Sequence, residues 1–236
     1  MGSSERIFAD RSEAGRRLAE RLLGYRDAAP VVLALPRGGV PVGFEIARAL
    51  GAPLDLVLVR KLGAPGQPEL AIGAVVDGPR PHTVINTEIR RMLSVSQPYL
   101  DEESRRQLEE IARRRTRYLG ERSPAPVVGH TAILVDDGIA TGATMRVAVQ
   151  AVRAARPRQV VVAVPVASSK AVEALRAEAD AVICLETPEP FYAIGLFYDD
   201  FHQVTDGEVV ELLQRNAAAN GDGGDGGTAG EAGPQA

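Results

Sequence analysis

Five short apolar runs are set into this chain: VVLAL (31–35), LDLVLV (54–59), TAILV (131–135), VVVAV (160–164) and AVICL (181–185). Each is almost unbroken, so a strand made from it has no face suited to water. That is the pattern of a parallel strand covered on both sides, whereas a sheet with one wet face alternates. Helical spacing fills several of the gaps: 10–26, the stretch from PRGGVPVG to Leu50, roughly 143–155 ended by Arg156-Pro157, and roughly 168–178. Strands alternating with helices indicate an α/β domain with a parallel sheet, right-handed crossovers and helices on both faces.

With 236 residues, 45% of them hydrophobic, the chain suits one domain with a substantial core. Aromatics are only 4% and Trp is absent, so Val, Leu, Ile and Ala must build that core. A net charge of −4 gives no general attraction to nucleic acid or to an anionic membrane, and neither is expected as a partner. Cys184 is the sole cysteine and is expected as a buried small hydrophobe, without a disulfide. No apolar stretch approaches the ~20 residues of a membrane span, and no signal-peptide core opens the chain, so a cytoplasmic location is expected.

Two regions depart from the rhythm. Residues 63–130 are too long for one connection. They hold ELAIGAVV and HTVIN, which suit a β-hairpin, and then a polar helix from about Asp101 to Leu119. That helix pairs Glu with Arg at i,i+4 spacing and is expected to lie over the domain as a solvated arm, and the insertion 63–130 as a whole is the candidate lid. The run RRRTR (113–117) lies in it, interleaved with glutamates, and is expected as a solvated face. Residues 217–236 carry no hydrophobic pattern and are expected to be a disordered tail behind a domain of residues 1–216.

The chemistry is concentrated in AILVDDGIATGATM (132–145). Ligands of parallel sheets bind beyond the carboxyl ends of the strands, and this strand ends on Asp136 and Asp137. The small residues after them let backbone N–H groups and a new helix N-terminus face an anion, with Thr141 and Thr144 adding hydroxyls. The carboxylates would repel that same anion, so they need hydroxyl donors or a divalent cation beside it. A phosphate next to vicinal hydroxyls is a ribose 5-phosphate.

ILVDDGIATGATM resembles the 5-phosphoribosyl 1-diphosphate (PRPP) motif of type I phosphoribosyltransferases. The resemblance implies that fold. It implies that Asp136 and Asp137 hold the ribose hydroxyls, directly or through Mg²⁺, and that Ala140, Thr141, Gly142, Ala143 and Thr144 hold the 5-phosphate. LALPRGGVPVG, with Arg37, Gly38 and Gly39, resembles the family's diphosphate loop, in the Arg-Gly-Gly form of bacterial xanthine-guanine enzymes. LVRKLG places Arg60 and Lys61 where the family often has an Arg-Lys pair near the diphosphate, and Lys61 is expected there as a catalytic cation.

The implied reaction transfers the phosphoribosyl group of PRPP to a nitrogen acceptor. A C-terminal hood, 186–216, is expected over that acceptor, with Phe191, Tyr192 and Phe197 able to stack on a base. Where 6-oxopurine enzymes usually carry an Asp before Thr-Gly, this chain has Ala140, which cannot move a proton. The family tends to homodimers. A regulator that binds PRPP or a nucleotide without turnover is the alternative from another class. A phosphohydrolase would need further metal ligands that the sequence does not cluster.

Overall fold

The computed structural model describes residues 6–77 and 81–221. Five strands form a parallel sheet: β1 (Pro30–Ala34), β2 (Leu54–Leu56), β6 (Thr131–Val135), β7 (Gln159–Val166) and β8 (Ala181–Glu186), in the order β2-β1-β6-β7-β8. On one face lie α1 (Arg11–Leu22), α2 (Gly39–Leu50) and α7 (Asp206–Ala219), packed on Val32, Ala34, Ile133 and Val135. On the other lie α5 (Ala143–Ala154) and α6 (Ser169–Arg176), packed on Val31, Leu33, Ala132 and Leu134. Successive strand residues feed opposite cores, which is why the runs are unbroken.

The chain moves outward from β1 to β2 and later returns to β6 on β1's other side, where Ala34 pairs with Val135. The sheet's direction of winding therefore reverses between β1 and β6. Their carboxyl ends frame the crevice where such sheets bind ligands.

The insertion builds a second sheet of antiparallel strands β3 (Val59–Ala64), β4 (Gln67–Val76) and β5 (His82–Ile85), followed by α3 (Thr87–Met92) and α4 (Gln97–Leu119). Two expectations change here. LDLVLV is not one strand. β2 stops at Leu56, the Leu58 N–H donates to Asp77 Oδ1, and Val59 begins β3 opposite Val76. A continuous apolar run carries no mark of where it leaves one sheet for another.

α4 lies over the domain as expected but is not merely a solvated arm. Leu100, Ile111, Tyr118 and Leu119 are buried in the core shared with β3 and β4. The helix is also tied down by polar contacts. Tyr99 donates to the Gly63 carbonyl, and Arg115 turns inward to bridge Asp55 and Asp77 at 2.9 and 2.7 Å.

At the C-terminus, α7 runs to Ala219, three residues past the expected domain end. Its buried Asn216 accepts from the Leu54 N–H and donates to the Ala52 carbonyl. The part of the expected tail from 222 onward lies outside the described residues. Cys184 is only half-buried, on edge strand β8, and burial pushes its thiol up to about 11.

Candidate functional site

Of the seven α-helices described, five begin on a side-chain cap: Asp10, Asn86, Ser96, Ser168 and Thr205. The other two, α2 and α5, begin on Gly38 and Gly142 with no side-chain cap, and they start on either side of the crevice.

At α5 the uncapped end is open. Gly142 has φ of +79°, a conformation that strains any residue with a Cβ. Among the described residues the N–H groups of Thr144 and Met145 have no acceptor in the protein. Ala140, Thr141, Ala143 and Thr144 are exposed, and the Ala140 carbonyl is fixed by Ser168 Oγ at 2.6 Å. Free amides at a helix's positive end make an anion cradle.

At α2 the glycines do something else. The Gly39 N–H already donates to the Leu35 carbonyl, the Val40 N–H to the Arg37 carbonyl, and Pro41 has none. Among the described residues the N–H groups of Arg37 and Gly38 have no acceptor in the protein, so the loop before the helix keeps amides of its own. What needs glycine is close approach. A Cβ on Gly38 would lie 2.0 Å from Asp137 Oδ2, and one on Gly39 would lie 2.6 Å from the Val135 carbonyl oxygen. The glycine pair lets the two sides of the crevice touch.

Asp136 and Asp137 occupy that contact. Asp137 is buried and accepts from Arg11 Nε at 2.8 Å, while Asp136 is part-buried and accepts from the Asp137 N–H. Burial, then Asp137's charge, holds Asp136 well above the usual carboxylate range; burial also raises Asp137, against the pull of Arg11. Among the described residues no donor outside the pair reaches Asp136 Oδ2 or Asp137 Oδ1. Two carboxylates against one guanidinium thus keep unspent acceptors for hydroxyl groups or a cation.

No group of three or more acidic, His or Cys side chains suited to a metal occurs among the described residues. The donor set therefore does not make a protein cage. It fits a hydrated ion that arrives with a substrate and takes one or two carboxylates, the usual habit of Mg²⁺.

Behind the acids stand residues that sequence reasoning missed. Arg11 also donates to the His202 carbonyl at 2.8 Å and lies 3.8 Å over the Phe201 ring. The Tyr198 hydroxyl donates to the Asp137 carbonyl at 2.6 Å, and burial raises its pKa so that it stays a donor. The segment before α1 meets the loop before α7 here, with Phe8 bridging to Tyr198 in a small core with Phe197. One signal was legible. An arginine at the first position of a helix opposes the helix dipole, so it needs a specific partner.

The other expected residues are dispersed. Arg37 reaches the crevice side of α2 and pairs with Asp206 at 3.7 Å. Lys61 and Arg60 are not at the end of a parallel strand; they lie on β3 because β2 ended early. Lys61 is exposed on Glu69 at 2.7 Å, and Arg60 donates to Gln107. Phe197 is buried and packs on Phe191, so it plugs a core and offers no face to a base; Tyr192 is exposed. The expected hood narrows to the loop before α7, since α7 itself packs on α2 and α4.

A reversal point that carries acids against an open helix start, on this sheet order, is the type I phosphoribosyltransferase architecture. The chain belongs to the phosphoribosyl transferase domain family, whose model matches residues 4–202. It is 47% identical over 211 residues to Rv0571c (strain ATCC 25618 / H37Rv) and to MT0597 (strain CDC 1551 / Oshkosh) of Mycobacterium tuberculosis, each named as a candidate phosphoribosyl transferase. The match covers 89% of this chain, which spans about half (47%) of the length of those relatives. The crystal structure of TT1426 from Thermus thermophilus is 48% identical, with a TM-score of 0.77 over 89% of this chain and 98% of that one. No described helix is long and apolar enough to cross a membrane.

Proposed function

We propose that this chain transfers the 5-phosphoribosyl group of PRPP to a nitrogen acceptor and releases diphosphate. The observation that carries the reading is the acid pair set beside the open start of α5 at the sheet's reversal point. An anion cradle next to unspent carboxylate oxygens suits a sugar phosphate, with the phosphate on the α5 amides and the ribose hydroxyls donating to Asp136 and Asp137.

The C1–O bond to diphosphate breaks as the acceptor nitrogen forms its bond to C1 from the opposite face. Positive charge growing on the sugar is met by the acid pair, and charge on the leaving group by Arg37. Mg²⁺ carried by the diphosphate would offset part of its charge and meet Asp136 or Asp137. Arg11 and Tyr198 act through Asp137: they hold its side chain and its carbonyl in place. Proton removal from the acceptor finds no group at Ala140, which speaks against a base that must be deprotonated from that position.

A second reading is binding without turnover. It draws on the aromatic residues, because Phe197 and Phe191 are spent on a core and form no ready slot for a base. The test is incubation with PRPP, Mg²⁺ and a pool of bases, with any new ribonucleotide identified by mass spectrometry. Transfer predicts diphosphate release that depends on one base. Tight PRPP binding without release would favour the regulator.

A further inference from the structure

The RRRTR segment does not behave as one solvated face. Arg115 turns into the protein, but Arg113, Arg114 and Arg117 border a cleft of about 490 Å³ whose other wall carries Arg37. Four guanidiniums face two carboxylates there, Glu110 and Asp206, within a chain whose net charge is −4. Glu110 pairs with Arg113 and Arg114. Asp206 holds Arg117 at 2.7 Å and Arg37 at 3.7 Å and takes the Tyr118 hydroxyl at 2.7 Å. The Tyr118 hydroxyl, then Arg117, Arg37 and Arg114, hold Asp206 below the usual carboxylate range.

We propose that this cleft is a site for a compact polyphosphate group, and that Asp206 is a built-in competitor occupying its cations in the resting protein. Arg37 and Arg117 converge on one carboxylate, as they would on one phosphoryl group, and planar guanidiniums suit either. Beside Arg37, α4 lines the cleft with three more cations, Arg113, Arg114 and Arg117, whereas Lys61 lies outside it on Glu69. A diphosphate entering the cleft exchanges its own oxygens for those of Asp206. The site shares Arg37 with the reading above and rests on it only there, since inorganic diphosphate can bind here in a chain that never turns over PRPP.

The test is calorimetric titration of the full chain with inorganic diphosphate at low and high salt. We expect saturable binding that weakens with salt. The Arg114→Ala/Arg117→Ala pair should weaken it about tenfold, and Asp206→Asn, which keeps an acceptor for Tyr118, should tighten it a few-fold. Opposite signs from two neighbouring changes do not arise from simple loss of folding, which a thermal melt of each variant checks. No binding by the wild type, or one affinity shared by all three proteins, overturns the proposal. Repeating the titration with saturating PRPP separates the sources. Blocked binding identifies the cleft as the seat of PRPP's own diphosphate, and retained binding assigns it to a second phosphorylated ligand.

Discussion

The starts of α2 and α5 look alike in sequence, each following a parallel strand through a short loop with a glycine before the helix. In the structure they differ in kind. Gly142 opens α5 by adopting a left-handed turn and leaving amides without acceptors. Gly38 and Gly39 let α2 close down on its neighbour, their missing side chains replaced by Asp137 and the end of β6. Gly142 serves a turn that leaves a helix start open, and the other two serve a contact.

Gly39→Ala should break this contrast most severely. Its Cβ meets backbone that cannot move aside, so we expect a loss of about 3 kcal/mol in chemical denaturation, together with loss of ligand binding. Asp137→Asn comes next. It should lower PRPP turnover at least about a hundredfold, yet move stability by less than about 1 kcal/mol, because the amide oxygen still accepts from Arg11. Unchanged turnover would remove Asp137 from the site. Arg37→Ala should weaken diphosphate binding about tenfold, whereas Lys61→Ala, on the antiparallel sheet, should change it by less than about twofold. Equal effects from the two would return Lys61 to the crevice.

Gly142→Ala has room for its methyl, at 3.4 Å from Ala171, but pays for the backbone angle. About 1 kcal/mol of stability should be lost, with 5-phosphate binding weakened and diphosphate binding spared. The smallest effect is the pH dependence of the acid pair. Asp136's pKa is raised on folding, so over the pH range above its ordinary value the folded chain binds a proton more readily than the unfolded one. Stability therefore falls as pH rises through that range. Asp136→Asn should raise the melting midpoint at neutral pH, and the gain should vanish below about pH 4, where both states are protonated. A gain that grows in acid would reverse the assigned sign.

The acid pair and the loop into α5 were legible because their information is local. Strand, carboxylates, small residues and helix follow one another, and each constrains the next within a few residues. Arg11, Tyr198 and Asp206 were not legible as a group. Arg11 lies 126 residues from Asp137 in sequence, and Tyr198 lies 61 away. Lys61 was placed at the wrong sheet for a related reason. The Asp77 carboxylate that captures Leu58 lies 19 residues further on, and no run of apolar side chains announces it.

By itself the sequence determined a doubly covered parallel sheet and the order of chemistry along its most telling loop, since burial on two faces and helix initiation are written in neighbouring residues. Only the tertiary structure decided which glycines expose amides and which admit a neighbour, and which arginines of one run face inward. Those outcomes depend on what lies a few ångströms away in space, and that is set by the packing of segments far apart in the chain.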